Sequence, residues 1–306
     1  MAASSRRHKD VFSIKPIDPP SRMSIAYLNG VYTPLDEARV SVLDRGFLFG
    51  DGVYEVIPVY GGKGFLRDRH LTRLENSLAA TRIENPHVRA QWENLLDEVI
   101  RRNGGGNQGI YLQVTRGSAP RLHAFPKGIS PTVLMTSQPL ALSAHPSPAK
   151  TITRPDIRWG RCDIKSIALI GNILLRQEAT DVGCLETILI RDGRITEGAA
   201  SNVFIVRQGR VMTPPASPLL LRGITRDFVI EQCAEANLPI HEVTVSEAAL
   251  RDADEAWITG SLMGIAPVVE IDGAPVGSGR PGPLWEKIHA LFRRCWRDSG
   301  QSRPDP

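Results

Sequence analysis

Short stretches of alternating hydrophobic and polar residues fill the first part of the chain, a pattern typical of β-strands joined by tight turns. The segment IAYLNGVYTP is apolar on both sides of Asn29-Gly30, which is a two-residue hairpin signal. The segment VYEVIPVYGGKGFL predicts a second strand pair that turns at Gly61-Gly62. The remaining patterns here predict helices near 68–82 and 90–103 and strands around 109–115 and 132–136.

The second part of the chain mixes short strands with helices. ETILIRDGRITEG carries a hairpin signal at Asp192-Gly193, and NVFIVRQGRVMTP turns at Gln208-Gly209. A helix is predicted after Gly223, and another over about 283–297. Because strands and helices mix without a regular βαβ alternation, the pattern predicts an α+β fold rather than a doubly wound sheet.

Composition along the chain indicates how it is divided. Residues 1–22 are rich in Ser, Arg and Pro and lack the apolar core of a secretory signal, so we predict a flexible N-terminal extension. Residues 139–148, PLALSAHPSP, contain three prolines and no sustained periodicity, which predicts a linker. We therefore expect a small N-terminal α+β domain over 23–138 and a larger C-terminal domain over 149–306.

The overall composition excludes several classes of protein. With 306 residues, 42% hydrophobic and 23% charged, the chain has an ordinary globular composition. No apolar run approaches the roughly 20 residues that span a bilayer. The net charge of +4 is spread without a basic stripe, so neither a membrane nor a nucleic acid is a predicted partner. Four widely spaced cysteines without a CxxC pair predict reduced thiols in a cytoplasmic protein, and no metal site is predicted.

Lys165 is the first candidate for chemistry. Only seven of the 37 Lys and Arg residues are lysines, and this one borders an apolar segment, IALIGNILL, that we expect to be buried. Apolar surroundings disfavour the charged amine and lower its pKa, and a neutral lysine can attack a carbonyl whereas arginine cannot. A lone lysine of this kind more often keeps its ammonium group in water, so the assignment depends on complementary groups elsewhere.

Other motifs supply such groups. In RITEGAASNVF, Glu197 precedes small residues, and its carboxylate could keep a pyridine nitrogen protonated. In LLRGITRDF, Ile224 and Thr225 begin a helix whose free N–H groups form an anion pocket. Ser261 follows a strand, and Arg73 could add a cation. Taken alone, Glu197 could be an ordinary turn residue and Thr225 an ordinary helix cap. Together with a lysine, these groups match a site for pyridoxal phosphate.

Six segments resemble, in order, those of the fold type IV (class IV) pyridoxal-phosphate aminotransferases: FLFGDGVYEV, RHLTRL, DIKS, TEGAASNVF, RGITR and GSLMGIAPV. The resemblance covers the chain from Ile25 to Phe292 and implies a two-domain enzyme with pyridoxal 5'-phosphate as its cofactor. It implies that Lys165 forms the Schiff base with the cofactor and moves the substrate proton, and that Glu197 pairs with the pyridine nitrogen. Tyr54, otherwise a half-buried strand tyrosine, would stand at the active site near the cofactor as a catalytic and substrate-binding residue. The phosphate would be held by Arg73, Ile224, Thr225 and Ser261.

The segment YLQVTRGSAPRLHAFP is similar to the D-amino acid transaminase form of a substrate loop. There an Arg-x-His pair binds the substrate carboxylate, and here that pair is Arg121 and His123, which would otherwise be solvated loop residues. The family's loop reaches the neighbouring subunit's site, so the resemblance also implies a homodimer. The implied reaction is transamination, in two half-reactions, between a D-amino acid such as D-alanine and a 2-oxo acid such as 2-oxoglutarate.

Two departures from the D-amino acid subgroup leave alternatives open. Ala199 and Ala200 replace the subgroup's usual serines, and Leu262, Met263 and Gly264 stand where it has polar residues. These changes suit a branched-chain L-amino acid aminotransferase, which is one alternative. A 4-amino-4-deoxychorismate lyase, which shares the fold and the lysine, is another. The last is a non-catalytic binding protein on the same scaffold, against which the intact lysine and glutamate argue.

Overall fold

The computed structural model describes residues 24–141 and 146–300, which form two β-sheets with their associated helices. The predicted extension over residues 1–22 lies outside the described residues, as do residues 142–145 in the middle of the predicted linker. Within the described ranges, no helix is long and apolar enough to cross a membrane.

The first sheet has six strands, and all of its strand pairs are antiparallel. The strands are β1 (Ile25–Leu28), β2 (Val31–Pro34), β3 (Gly52–Tyr60), β4 (Lys63–Gly64), β5 (Gln108–Thr115) and β6 (Thr132–Pro139). Their order in the sheet is β2-β1-β6-β5-β3-β4. Both predicted hairpins are confirmed, and the first turns through left-handed backbone at Asn29 and Gly30, as its turn type requires.

Helices cover one face of this sheet. The helices of this part are α1 (Arg45–Phe49), α2 (Arg67–Thr81) and α3 (Arg89–Arg102), and a 3₁₀ turn spans Leu35–Glu37. Leu71, Leu74 and Leu78, spaced by three and four residues along α2, are buried in a core shared with Trp92 and Leu96 of α3. The two predicted helices therefore exist and are shifted by one residue from their expected bounds.

The second sheet has nine strands. They are β7 (Ala149–Pro155), β8 (Glu186–Arg191), β9 (Arg194–Gly198), β10 (Asn202–Arg207), β11 (Arg210–Thr213), β12 (Ile240–Glu242), β13 (Glu255–Gly260), β14 (Gly264–Ile271) and β15 (Ala274–Pro275). Their order is β12-β11-β10-β13-β14-β7-β8-β9, and β15 pairs with β14. The predicted turns at Asp192-Gly193 and Gln208-Gly209 are confirmed.

The helices of the second part join its strands into a mixed sheet. They are α4 (Ile170–Asp181), α5 (Ile224–Glu235), α6 (Glu247–Arg251) and α7 (Pro283–Gly300). β7 and β8 are parallel and are connected through α4, and β11 and β12 are parallel and are connected through α5. The α+β class is confirmed, and the structure adds two βαβ connections. Both connections carry predicted site residues, since Lys165 precedes α4 and Ile224 begins α5.

The apolar segment around Lys165 is only partly buried. Ile164 is buried as expected, but Ile170, Ile173 and Leu174 are exposed by 70%, 59% and 53%. The expectation of burial is wrong for these three because α4 packs inward with a different face, at Leu175 and Ala179. The second part of the chain thus presents an apolar surface beside the lysine.

Candidate functional site

A cavity of about 360 Å³ lies where the two sheets meet. Most of the predicted site residues line it: Tyr54, Arg73, Lys165, Glu197, Ile224, Thr225 and Ser261. Arg121 and His123 are exposed on the loop after β5, and among the described residues they are not part of this lining. One chain therefore brings together the residues proposed to bind the cofactor, but not the two residues proposed to bind the substrate carboxylate.

Lys165 is held by backbone pairing with the start of β3. The Tyr54 N–H donates to the Lys165 carbonyl at 2.9 Å, and the Ile167 N–H donates to the Gly52 carbonyl at 3.1 Å. Gly52 allows this approach, because a Cβ there would lie 2.9 Å from Ile167 Cδ1 and 2.8 Å from the Val114 carbonyl. The half-buried Lys165 extends its Nζ to 4.1 Å from the centre of the Tyr54 ring. This places a lysine amine and a tyrosine on one wall of the cavity.

Glu197 is a buried carboxylate at the end of β9. Its Oε2 accepts hydrogen bonds from Asn202 Nδ2 at 3.2 Å and from the Leu221 N–H at 3.0 Å, and its Oε1 contacts Arg158 Nη1. Burial raises the pKa of Glu197 to about 7, while Arg158 and the Leu221 N–H limit the rise. A carboxyl group with this pKa can hold a proton shared with a ring nitrogen near neutral pH.

Arg158 is a site residue that sequence reasoning missed. Its side chain is 5% exposed and pairs with the fully buried Asp156 through Nε at 3.0 Å and Nη2 at 3.0 Å. Burial lowers the pKa of Arg158, but Asp156 and Glu197 outweigh it and raise the pKa above its usual value. Arg158 therefore remains a cation behind Glu197. The contact with Glu197 could not be read from the sequence, because the two residues are 39 positions apart, whereas Asp156, two residues before Arg158, is a local signal that could have pointed to this arginine.

The start of α5 lies at the cavity without a side-chain cap. Gly223 occupies the N-cap position and cannot cap the helix with a side chain, so the N–H groups that follow remain available to a ligand. Arg73 Nη1 donates to the Arg222 carbonyl at 3.1 Å, which joins α2 to this turn. Ile224 and Thr225, both buried, line the cavity here. The predicted phosphate residues thus converge from the two parts of the chain.

Arg73 is fixed from behind by a buried acid. Its Nε and Nη2 donate to the two Glu55 oxygens at 2.7 and 2.9 Å, and His70 Nδ1 lies 2.8 Å from Glu55 Oε2. Burial raises the pKa of Glu55, but Arg73 and His70 outweigh it and hold the pKa well below its usual range. The carboxylate therefore stays ionised and orients the Arg73 guanidinium at the cavity wall.

An unsatisfied buried hydroxyl also indicates a ligand. Thr259 Oγ1 lines the cavity, is buried, and has no hydrogen-bond partner among the described residues. A buried polar group without a partner is costly, so it is commonly completed by a bound molecule. With the Lys165 amine, the Glu197 carboxylate, Arg73 and the uncapped helix terminus, the donor set fits pyridoxal phosphate. The amine suits the aldehyde, the carboxylate suits the ring nitrogen, and the remaining groups suit the phosphate.

Gly223→Ala tests the steric fit of this turn. A Cβ at this position would lie 2.1 Å from Asn202 Oδ1, so the Asn202 amide, which bonds Glu197 and the Leu221 carbonyl, must move. We expect cofactor affinity to fall about tenfold, the effect of one weakened hydrogen bond to a charged group. Titration with pyridoxal phosphate, followed by absorbance, measures the change. Gly160→Ala is the control, since nothing lies within 4 Å of the added carbon, and equal affinities in both variants would contradict the prediction.

Comparison with known proteins gives one consistent family. The family model for amino-transferase class IV matches residues 52–271. A D-alanine aminotransferase of Bacillus licheniformis is 41% identical over 267 residues, which cover 87% of this chain and 94% of the relative. A D-alanine aminotransferase of Staphylococcus haemolyticus is 35% identical over 275 residues, which cover 89% of this chain and 98% of the relative.

Solved structures share the fold. The Escherichia coli branched-chain amino acid aminotransferase superposes with a TM-score of 0.85 at 27% identity, covering 90% of this chain and 95% of the other. The branched-chain amino acid aminotransferase of T.th., solved with pyridoxamine 5'-phosphate, has a TM-score of 0.83 at 27% identity, covering 92% and 96%. The relatives found by sequence are thus named D-alanine aminotransferases, whereas the structural neighbours are named branched-chain amino acid aminotransferases.

Proposed function

This chain belongs to the class IV aminotransferases and is a pyridoxal-phosphate enzyme, and from that premise we propose that it transfers amino groups between D-amino acids and 2-oxo acids. D-Alanine is the proposed donor and 2-oxoglutarate the proposed acceptor. The observation that carries the proposal is the placing of Arg121 and His123 on one aromatic ring: the Arg121 guanidinium lies 5.1 Å and the His123 ring 5.5 Å from the centre of Phe49. The D-alanine aminotransferase names of the 41% and 35% identical relatives support it.

The residues of the cavity divide the chemistry among them. When bound, pyridoxal phosphate supplies an aldehyde that links covalently to an amine and a ring that withdraws electrons from the substrate Cα. Lys165 Nζ would hold the aldehyde when no substrate is bound. Once released as a neutral amine, it would take the proton from the substrate Cα and give it back later in the same half-reaction. Glu197 holds the ring-nitrogen proton at its buried oxygens. Arg73, Ile224, Thr225 and Ser261 hold the phosphate, and Tyr54 flanks the lysine amine.

Arg121 and His123 together determine which enantiomer of the substrate reacts. A planar guanidinium binds a carboxylate through two parallel hydrogen bonds, and a nearby imidazole adds a third donor. A carboxylate fixed in this way decides which Cα hydrogen faces Lys165. Arg121 and His123 therefore select the D-configured amino acid.

We propose a homodimer in which the loop of one subunit completes the site of the other. Arg121 and His123 do not line the cavity of their own chain as far as the described residues extend, which supports their supply by a second copy. Exposed apolar side chains support such an interface, with Phe47 and Leu122 near the loop and Ile170 near the cavity, exposed by 73%, 67% and 70%. Large exposed apolar groups at two places on one chain are typical of an oligomer interface.

A screen of D- against L-amino acids tests the substrate assignment. With D-alanine and 2-oxoglutarate we expect pyruvate and D-glutamate as products. Activity confined to L-leucine would contradict the proposal and support a branched-chain aminotransferase. That second candidate is favoured by the alanines at 199 and 200, which lie at the cavity, and by the apolar residues at 262 and 263.

Arg121→Ala is expected to raise KM for D-alanine by about ten- to a hundredfold, because one charge-assisted carboxylate contact is lost. The effect on kcat is expected to be smaller, unless the carboxylate also orients the Cα–H bond. Steady-state kinetics at varied D-alanine concentration measure both constants. Arg210→Ala, at an exposed position of β11, is the matched control. Equal KM values for the two variants would contradict the proposal that Arg121 binds the substrate carboxylate.

Mixing two variants that are each impaired in a different way tests the shared site. Lys165→Ala lacks the amine and Arg121→Ala lacks the carboxylate contact, but a mixed dimer has one site with both groups. After reversible dissociation and reassembly of a 1:1 mixture, we expect about a quarter of the wild-type sites to be active at low D-alanine concentration. Activity no greater than the sum of the separate variants would mean that each chain uses its own Arg121.

The remaining assignments rest on the sequence. We propose that residues 23–138 and 149–306 are separate domains joined by 139–148, which the division of strands between two sheets supports. We also propose a cytoplasmic location, which the four free cysteines support.

A further inference from the structure

A buried cluster of two arginines and one aspartate lies at the base of the loop that carries Arg121 and His123. We call Arg45, Asp51 and Arg116 the Asp51 cluster. Asp51 Oδ2 accepts from Arg45 Nε at 2.7 Å and from Arg116 Nε at 2.8 Å, and Oδ1 accepts from Arg116 Nη2 at 3.0 Å. Arg45 is 3% exposed and Arg116 is 7% exposed, so the charged groups at the base of this loop are almost completely shielded from water.

Arg45 reaches from this cluster into the loop itself. Its Nη1 donates to the Leu122 carbonyl at 2.5 Å, and its Nη2 donates to the His123 carbonyl at 3.4 Å. Its own N–H donates to the Gly117 carbonyl at 2.9 Å, where the loop leaves β5. One residue of α1 thus fixes both the beginning of the loop and the peptide groups on either side of His123.

A second contact connects Arg45 to the Arg121 side chain through the Phe49 ring. Phe49 lies one helical turn after Arg45 in α1, and the Arg45 guanidinium is 4.8 Å from the centre of its ring. The Arg121 guanidinium is 5.1 Å from the same ring and the His123 ring 5.5 Å from it. The Phe49 ring is therefore a platform that contacts both Arg121 and His123, the two residues proposed to bind the substrate carboxylate.

The other side of the loop is fixed through Arg116. Its guanidinium lies 3.7 Å from the centre of the Phe125 ring, two residues beyond His123. Its Nη1 donates to the Arg82 carbonyl at 2.8 Å and its Nη2 to the Thr81 carbonyl at 2.8 Å, at the end of α2. The cluster thus connects the loop to a helix of the first core.

The Asp51 carboxylate stays ionised at physiological pH. Burial raises the pKa of Asp51, but the hydrogen bonds and charges of Arg116 and Arg45 outweigh it and hold the pKa below its usual value. Arginine is needed at position 45, because its planar fork donates to Asp51 and to two carbonyls at once, and a lysine amine cannot match that geometry.

We propose that Arg45 is a positioning residue for transamination, which holds the loop and the Phe49 platform so that Arg121 and His123 are presented to the substrate carboxylate. The proposal rests on the function proposed above. It assigns to a buried residue, outside the cavity lining, an effect on substrate affinity that acts through Arg121.

Arg45→Lys in the holoenzyme tests it. We expect KM for D-alanine to rise about tenfold while the absorbance of the bound cofactor is unchanged, because misplacing a contact group by about 1 Å is costly even at a distance. Arg207→Lys makes the same change in an exposed ion pair with Asp252 and is the control. A KM equal to that of the control would overturn the proposal.

A double-mutant cycle separates positioning from general stability. If Arg45 acts through Arg121, Arg45→Lys should change KM by less than about twofold in an Arg121→Ala background. A further tenfold rise there, added to the effect of Arg121→Ala, would overturn the inference and leave the role of Arg121 intact. An unchanged KM in Arg121→Ala alone would instead refute the proposed function on which the inference rests.

Phe49→Leu provides a second route should Arg45→Lys fail to fold. Leucine keeps the helix and the apolar volume but removes the ring on which Arg121 and His123 rest. We expect KM for D-alanine to rise severalfold with the cofactor absorbance unchanged, and again no further rise in the Arg121→Ala background. A wild-type KM in Phe49→Leu would refute the platform.

Discussion

Lys165→Ala is expected to lower kcat for transamination by about 10⁴-fold or more, because the chain loses both its covalent attachment to the cofactor and the base that moves the Cα proton. Among the described residues, no other lysine lines the cavity, and the Lys165 amine lies 4.1 Å from the centre of the Tyr54 ring. The cavity retains Arg73 and the start of α5, so cofactor binding should be weakened but not lost. Single-turnover measurements with D-alanine give the rate.

Two observations check that this loss is specific to the amine. Lys63→Ala changes an exposed lysine in the turn region of β4 and should keep wild-type turnover. Borohydride reduction of the wild-type holoenzyme, followed by peptide mapping, should label Lys165 and no peptide of the Lys165→Ala variant. Ordinary turnover in Lys165→Ala, or a label on another lysine, would contradict the catalytic assignment.

Local signals made much of the fold predictable. The turns at Asn29-Gly30, Asp192-Gly193 and Gln208-Gly209 could be read from the sequence because left-handed backbone in a two-residue hairpin requires these residue types. The helices α2 and α5 were predictable from apolar spacing and from the residues at their ends. These features depend on contacts close in sequence, so a single chain suffices to find them.

The parts that could not be predicted depend on contacts between distant segments. Arg158 matters because it contacts Glu197, which lies 39 positions later on β9, and its local pair with Asp156 does not reveal that contact. Arg45 and Arg116 are 71 positions apart and meet at Asp51 only because α1 packs against the end of β5. Lys165 and Glu197 could be found because their neighbours in sequence, an apolar segment and a run of small residues, belong to the same site.

The apolar face of α4 shows a different limit. Hydrophobic periodicity indicates that a surface is covered, but it does not say by which chain. Ile170, Ile173 and Leu174 were expected in the core and are exposed in the single subunit. A homodimer, as proposed above, would cover such a face, and the sequence pattern would then be correct for the assembly and wrong for the monomer.

Glu197→Gln is expected to lower kcat by about 10²- to 10³-fold, the usual effect of removing one preorganised electrostatic partner in an active site. Glutamine keeps the shape of the side chain and one oxygen for the Leu221 N–H, but it cannot hold the positive ring nitrogen with a negative charge. Arg158 keeps its pair with Asp156, so the variant should fold. The control is Glu231→Gln, which alters an exposed ion pair with Arg69. Equal kcat values in the two variants would show that the ring nitrogen needs no carboxylate here.

The raised pKa of Glu197 gives a pH dependence that the same variant removes. In the cofactor-free protein the pKa rises from its ordinary value of 4.5 to about 7, so the folded state binds this proton more tightly than the unfolded state. The stabilisation is therefore complete below about pH 4.5 and is lost as the pH rises to about 7, a difference of about 3 kcal/mol in the free energy of unfolding. Urea unfolding at a series of pH values should show this slope in the wild type and not in Glu197→Gln. Adding pyridoxal phosphate should flatten it, because a cationic N–H beside Glu197 lowers the pKa. Parallel curves for the two proteins would mean that Glu197 is already ionised in the absence of cofactor.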